Sequence, residues 1–330
     1  MGFARRYYKS SPRLRRFSRL AKNRGIEALA NFGLSAVGRL SLEHALRLGE
    51  IVGGLTYKIL PGPRRLALEH LQLAFGDSLT PAAREHLARA SFVNVARYFC
   101  ELAKIDEIRE RREEYLEYEG LDIMEDMMRR GVGSIAITGH IGNWELLAAA
   151  MSWLEYPVAA VARRIYAERL NQLLVDFRRR QGVETILREG PTSARQILRV
   201  LKSNGILAML IDQDTHAASV SVPFFGRLAR TPVAAASLAI RRELPVFAAF
   251  IQRRSDFGWR VIIKPPFVAT CSGDQRADVR NLTQQFNAML EAQIRANPAE
   301  WVWWHRRWRR GPVARLDLDD VFPYTNETAA

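Results

Sequence analysis

From about residue 116 onward, short apolar runs of strand length alternate with longer amphipathic runs of helical length. This alternation predicts an α/β fold with a mixed, largely parallel sheet flanked by helices, because helices must cover both faces of such a sheet. The predicted strands are 115–119, 133–138, 157–162, 206–211, 245–252 and 259–265; the predicted helices are 121–130, 143–154, 167–181, 191–203, 231–242 and 279–296. Functional side chains of such sheets gather where the strands end.

From about residue 26 to 115 the sequence has helical periodicity, which predicts an N-terminal helical layer. Residues 64–75 form one predicted amphipathic helix, and Thr80 and Pro81 open another as its cap and first residue. Charges interrupt residues 26–60, so we expect this stretch to pack on the core or lie in a membrane interface instead of spanning a membrane. The predicted divisions are a basic membrane-proximal segment (1–25), the helical layer (26–115), an α/β core (116–315) and an acidic tail (316–330).

The chain is strongly basic, with 49 Lys and Arg against 35 Asp and Glu, for a net charge of +14. An anionic partner is expected, and charge alone admits both nucleic acid and an anionic membrane. Residues 1–24 carry nine basic and no acidic residues, interleaved with aromatic ones. This pattern favours an interfacial anchor over a merely solubilising tail, so the protein should be peripheral or monotopic. Two widely separated cysteines fit a reducing, cytoplasmic setting.

The segment His140-Ile-Gly-Asn-Trp-Glu145 follows a predicted strand and opens a predicted helix. Residues five apart on a helix stand about 140° from each other, so His140 must lie in the preceding loop for the two side chains to meet. Asn143 is a predicted helix cap and substrate-binding residue. We predict that His140 acts as a general base with Glu145 as its orienting partner, in an acyl transfer to a hydroxyl group. A purely structural histidine is the alternative.

Other candidate residues follow the next strands or lie in a later loop. Arg163 and Arg164 suit phosphate recognition or oxyanion support, or are a surface charge pair. Asp212 and Asp214 would pair with the arginines or orient the acceptor, since one nearby histidine is weak evidence for a metal. Phe224 and Phe225, in a predicted loop, would line an acyl-chain channel or pack in the core.

The run 301–310 combines four tryptophans with four arginines. Tryptophan beside arginine is typical of a membrane edge, and alternating aromatic and basic residues also suit single-stranded nucleic acid. A packed C-terminal clamp is the third interpretation. The sequence contains no Walker-type loop, G-x-G-x-x-G, H-E-x-x-H or C-x-x-C motif, so neither metal nor cofactor is predicted.

Together these motifs resemble the lipid A biosynthesis acyltransferase family of lauroyl and myristoyl transferases, within the H-x-x-x-x-D/E lysophospholipid acyltransferase group. The resemblance runs from about residue 64 to 310 and is specific because of the order of its motifs. They are the early helix around His70–Phe75, Gly139–Glu145, Val161-Ala-Arg163, Asp212-Gln-Asp214, the Phe224-Phe-Gly226 and Thr231 segment, and the Trp-x-His-Arg-Arg ending.

The resemblance implies transfer of a fatty acyl chain from acyl carrier protein, or from coenzyme A, to a hydroxyl of a membrane glycolipid such as a lipid A precursor. It implies the cytoplasmic face of the inner membrane, no bound cofactor and no nucleic acid. His140 would be the base, Glu145 its partner, and Arg163 would contact a phosphate or the donor. The alternatives are a lysophospholipid or phosphoinositol mannoside acyltransferase, or a non-catalytic membrane- or nucleic-acid-binding protein.

Overall fold

The computed structural model describes residues 33, 35–165, 167–269 and 271–308. The predicted basic segment at 1–25 and the predicted acidic tail at 316–330 lie outside these residues. Within the described part, no helix is long and apolar enough to cross a bilayer.

The helical layer begins with α1 (Leu42–Ile59), α2 (Pro61–Phe75) and α3 (Pro81–Ala103), followed by the short α4 (Ile105–Glu110) and α5 (Arg112–Tyr115). The predicted start of α3 is confirmed: the Thr80 side chain accepts a hydrogen bond from the backbone nitrogen of Ala83. Helix α1 packs closely on α3, because a Cβ added at Gly53 would lie 2.5 Å from the Cα of Val93.

The opposite face of α1 is apolar and open to solvent. Exposed fractions are 61% for Ile51, 53% for Leu55 and 67% for Ile59, which follow one another at helical spacing. Phe99 of α3 is 63% exposed. A contiguous apolar face of this kind usually marks a contact surface.

A second set of elements forms the α/β core. Its strands are β1 (Leu116–Glu119), β2 (Ser134–Thr138), β3 (Val158–Ala162), β4 (Val183–Leu187), β5 (Ile206–Leu210), β6 (Ser219–Phe224), β7 (Arg227–Pro232), β8 (Val246–Arg253) and β9 (Trp259–Ile263). Its helices are α6 (Leu121–Arg129), α7 (Trp144–Ser152), α8 (Glu168–Arg180), α9 (Ser193–Lys202), α10 (Ala234–Arg242) and α11 (Gln275–Ala296).

Seven of the described strands form one sheet in the order β1-β9-β8-β2-β5-β3-β4. Within this seven-stranded sheet only the β8/β9 pair is antiparallel, so the predicted mixed, largely parallel sheet is confirmed. All six predicted strands are present. Strand β4 was not predicted, and β6 and β7 form an antiparallel hairpin where a loop was predicted around Phe224 and Phe225.

The sheet separates two apolar cores. Ile135 and Ile137 of β2 pack into the core beneath α9, α10 and α11, whereas Ala136 packs into the core formed with α6 and α7. This division follows from the alternation of side chains along a strand. The central strands β2 and β5 are therefore held rigidly from both sides, and their register determines what lies at their carboxyl ends.

Candidate active site

His140 and Asp212 lie together at the carboxyl edge of the sheet. Thr138 of β2 is the register partner of Leu210 of β5, and each of the two site residues comes two positions later. The backbone continues this pairing, since the nitrogen of Ile211 donates to the oxygen of Thr138 at 3.1 Å. The sheet register thus brings together two residues that are 72 positions apart in sequence.

The Asp212 carboxylate is fully buried and receives three donors. His140 Nδ1 lies 2.8 Å from Oδ1. The backbone nitrogen of His140 donates to Oδ2 at 2.7 Å, and Nε1 of Trp301 donates to the same oxygen at 2.8 Å. Burial alone would raise the pKa of Asp212, but the charge and hydrogen bond of His140, with the contributions of His305 and Trp301, hold that pKa well below its usual value.

An ionised Asp212 fixes the tautomer of His140. Because the carboxylate only accepts hydrogen bonds, the imidazole proton resides on Nδ1, and Nε2 presents a lone pair. The His140 side chain remains 20% exposed, so a substrate can approach it. Such an imidazole can take a proton from a hydroxyl group while the carboxylate stabilises the imidazolium that forms.

Glu145 does not form the predicted hydrogen bond with His140. Its carboxylate forms a two-point ion pair with Arg178 of α8, at 2.8 Å to Nε and 2.6 Å to Nη2. The prediction correctly put Glu145 in the first turn of α7. From there, however, its side chain meets the guanidinium of the neighbouring helix, whose planar fork matches a carboxylate. The carboxylate partner of His140 is Asp212.

Asn143 caps α7 as predicted, with Oδ1 accepting from the backbone nitrogen of Leu146 at 3.0 Å. Its Nδ2 donates to the carboxylate of Glu101 at 2.7 Å, and the residue is 2% exposed. Both polar ends of this side chain therefore bind protein groups. This arrangement fits a structural role of Asn143, and its predicted contact with substrate would require both hydrogen bonds to open.

Arg163 and Arg164 follow β3, which is the neighbour of β5, and both are exposed. They lie at the same sheet edge as Asp212, as expected. Arg164 Nη1 donates to both carboxylate oxygens of Glu168, at 3.1 and 3.0 Å. The arginines are accessible to an anionic group at this edge, and their role in binding stays a prediction.

Asp214 is almost fully buried, and its Oδ1 lies 3.8 Å from Nε of Arg230 in β7. The two predicted acids thus have different surroundings: Asp212 faces His140, whereas Asp214 approaches a hairpin arginine.

Phe224 and Phe225 belong to an aromatic cluster inside the protein. Phe224 is 0% and Phe225 is 5% exposed. The Phe224 ring contacts Trp301 and Trp308 at centroid distances of 5.7 and 5.8 Å, and Phe225 contacts Trp303 at 6.1 Å. Their surroundings match the core-packing alternative, and the predicted acyl channel would need this cluster to move.

The described part of the tryptophan-rich run, 301–308, packs into the protein, which matches the interpretation of a C-terminal clamp. Trp301 and Trp303 are 0% exposed. Arg307 is also buried, and it binds the oxygens of Arg230, Thr231 and Asn287. Burial lowers the pKa of Arg307 to about 10, so the guanidinium remains charged at neutral pH. The run thereby connects β7 with α11, and it places the Trp301 indole within hydrogen-bond distance of Asp212.

Two further residues border the base, and sequence reasoning missed both. The side-chain nitrogen of Gln213 lies 3.0 Å from His140 Nε2 and 3.0 Å from His305 Nε2. Burial and the neighbouring His140 lower the pKa of His305 to about 3, so its imidazole is neutral at pH 7. Both residues belong to motifs that could have indicated them: Gln213 is the middle residue of Asp-Gln-Asp, and His305 is the histidine of Trp-x-His-Arg-Arg.

His140, Asp212 and His305 also place ligand atoms within 4.8 Å of one another, a spacing that could hold a metal ion. Two imidazoles and a carboxylate are suitable ligands for zinc. Both oxygens of Asp212 already accept hydrogen bonds, however. The hydrogen bonds to Asp212 therefore fit a carboxylate that orients the His140 imidazole better than one that binds a metal ion.

The chain is similar to known proteins over most of its length. Residues 15–310 match the family described as bacterial lipid A biosynthesis acyltransferase. The phosphatidylinositol mannoside acyltransferase of Mycobacterium tuberculosis strain H37Rv is 28% identical over 275 residues, covering 81% of this chain and 83% of that protein. The enzyme of the same name from Mycolicibacterium smegmatis is 28% identical over 286 residues, covering 85% and 91%.

Proposed function

Since the chain belongs to the bacterial lipid A biosynthesis acyltransferase family and is an acyltransferase, we propose that it transfers a fatty acyl chain from a thioester to a hydroxyl of a membrane glycolipid. The observation that supports this reaction most directly is the hydrogen bond between His140 and the buried carboxylate of Asp212. It keeps the proton on Nδ1, so Nε2 is the proposed base; the acceptor hydroxyl would take the place of the side-chain nitrogen of Gln213, which lies 3.0 Å from Nε2.

In the proposed reaction, His140 Nε2 takes the proton of the acceptor hydroxyl as its oxygen attacks the thioester carbonyl. A carbon–oxygen bond forms, and the carbonyl electrons move onto oxygen. The tetrahedral intermediate then collapses, the carbon–sulfur bond breaks, and the departing thiolate takes the proton from the imidazolium. Asp212 stays ionised and stabilises the imidazolium between the two steps.

The donor is proposed to be a fatty acyl thioester of acyl carrier protein or of coenzyme A. Both are anionic, and the net charge of +14 would attract either of them. The exposed guanidinium groups of Arg163 and Arg164, at the same sheet edge as Asp212, are the proposed contacts for phosphate groups of the donor or acceptor.

For the acceptor, the family description favours a lipid A precursor. A phosphoinositol mannoside is the second candidate, because two relatives named for that acceptor are 28% identical over more than four-fifths of the chain. Both candidates are glycolipids with free hydroxyls and phosphate groups, so the same base and the same arginines would serve either.

Peripheral attachment to the cytoplasmic face of the inner membrane is proposed through the exposed face of α1. Ile51, Leu55 and Ile59 would enter the interface, and the basic segment at 1–25 is predicted to bind the anionic lipid headgroups nearby. This arrangement would bring the enzyme to an acceptor that does not leave the bilayer.

The test incubates the purified protein with vesicles that contain either a lipid A precursor or a phosphatidylinositol mannoside. Each is supplied with long-chain acyl coenzyme A or with acylated carrier protein. Mass spectrometry should show the mass of one acyl chain added to one of the glycolipids, and the His140→Ala variant should add none. Retention of most activity by that variant, or acylation of neither glycolipid with either donor, would overturn the proposal.

A further inference from the structure

A buried charged group contacts the loop that carries His140. Glu101 of α3 is 0% exposed, although it bears a carboxylate. One of its oxygens accepts a hydrogen bond from Arg253 of β8, and the other accepts from Asn143 Nδ2 at 2.7 Å. Burying an ion pair carries a large desolvation cost and rarely adds net stability compared with an apolar pair. The contact with Asn143 indicates that the Glu101–Arg253 pair helps to hold the loop that carries His140.

The loop is held at neighbouring positions by the C-terminal segment. The backbone nitrogen of Gly142 donates to the carbonyl of Glu300 at 3.1 Å, and that of Val302 donates to the carbonyl of His140 at 3.3 Å. Gly142 has φ +62, and a Cβ added there would lie 2.0 Å from the carbonyl oxygen of Ile251. Position 142 therefore has no room for a side chain, and its positive φ also favours glycine.

The same surroundings extend to the imidazole itself. Trp144, which directly follows Asn143, packs edge-on against the His140 ring at a centroid distance of 4.8 Å. Trp144 also contacts Tyr98, at a centroid distance of 6.3 Å, and the Tyr98 hydroxyl donates to the half-buried Glu300 side chain. A shift of Asn143 would consequently move Trp144 and change the direction of the imidazole.

We propose that Glu101 is a positioning residue of the acyl-transfer site, and that it acts through Asn143 to fix the orientation of His140. This inference rests on the function proposed above, because it assigns Glu101 a role in that reaction. Its hydrogen bond determines where Asn143 holds the start of α7, and Arg253 keeps the Glu101 carboxylate in place. Misplacement of a catalytic group by about 1 Å can cost a factor of about 100 in rate.

The first variant is Asn143→Ser. Serine caps a helix about as well as asparagine, but its short side chain cannot reach Glu101. The Glu101–Arg253 pair remains intact, so no buried charge loses its partner. We expect kcat to fall about tenfold or more while KM changes little. The melting temperature should fall by only a few degrees, because one buried oxygen of Glu101 loses its donor. The matched control is Asp274→Ser, which keeps a cap on α11 and should leave kcat unchanged.

The second test exchanges the hydrogen-bonding groups. Glu101→Gln places an amide nitrogen opposite that of Asn143, and Asn143→Asp places two carboxylates together, so each single variant should be impaired in kcat. In the double variant, the amide introduced at position 101 can donate to the carboxylate introduced at position 143 while its oxygen still accepts from Arg253. We expect the double variant to recover most of the lost kcat, which general destabilisation would not produce.

Single variants that keep kcat within about twofold of the wild type would overturn the inference, as would a double variant no more active than the worse single one. If Glu101→Gln or Asn143→Asp fails to fold, the kcat of Asn143→Ser and that of the folded double variant still test the role of Glu101. His140→Ala, measured alongside, distinguishes the two claims: its full activity would remove the proposed reaction, whereas unaffected Asn143 variants beside an inactive His140→Ala would remove only the role of Glu101.

Discussion

His140 donates its Nδ1 proton to a buried carboxylate oxygen of Asp212 that lies 2.8 Å away. Asp212→Asn would remove the negative charge and allow the amide to favour the wrong tautomer of the imidazole. We expect kcat to fall by about 100-fold or more, because the imidazolium also loses its stabilising charge. Initial rates of acyl transfer measure this effect. A variant with near wild-type kcat would exclude Asp212 as the partner of the base.

Glu145 and Arg178 should affect stability more than chemistry. Their side chains are 9% and 12% exposed, and removing one member leaves a largely buried charge without its partner. Glu145→Ala and Arg178→Ala should each reduce the free energy of unfolding by about 3 kcal/mol, and the double variant by less than their sum. Urea denaturation measures these values. Glu145→Gln should retain more kcat than Asp212→Asn; the reverse order would restore Glu145 as the catalytic partner.

The pH dependence of stability should depend on His305. Its pKa in the folded protein is about 3, lowered first by burial and then by His140, with a further contribution from His70 and an opposing one from Asp212. In the unfolded chain, the pKa of the His305 imidazole is about 6.5. His305 is therefore neutral in both states above about pH 6.5. The unfolded state gains protons first as the pH falls, so stability decreases from about pH 6.5 down to about pH 3.

Replacing His305 with Asn should remove this contribution. Between pH 7 and pH 5 the free energy of unfolding should then decline less steeply for His305→Asn than for the wild type. Urea denaturation at several pH values compares the two slopes. Equal slopes would mean that His305 is not the group whose protonation favours the unfolded state.

The fold was predictable from the sequence where apolar runs were uninterrupted. The six predicted strands include the buried β2 and β5, whose residues pack on both faces of the sheet. Strand β4 was missed because it is an edge strand with polar residues, Glu184 and Thr185, within it. The β6/β7 hairpin was missed because Pro223 indicates a loop, although it occupies a two-stranded ribbon.

The candidate site was predictable only in part. A strand end followed by a glycine-flanked histidine indicated His140, but its partner depends on which strands are neighbours. Local spacing favoured Glu145, five residues away, whereas the register of β2 and β5 brings Asp212 from 72 residues away. Trp301 and His305 were missed for a similar reason: a run of tryptophans beside arginines does not reveal whether it faces lipid or the core.

The apolar face of α1 should bind the membrane surface. Replacing Ile51 and Leu55 with glutamine preserves helix propensity and removes apolar surface that is 61% and 53% exposed. We expect binding to anionic vesicles to weaken about tenfold or more, since each side chain contributes roughly 1 kcal/mol or more when buried among lipids. The matched control is Val268→Gln, which alters an apolar residue that is 79% exposed outside α1 and should change little. Vesicle sedimentation measures the partition coefficients, and equal weakening by the control, or none by the α1 variant, would exclude this face as the membrane contact.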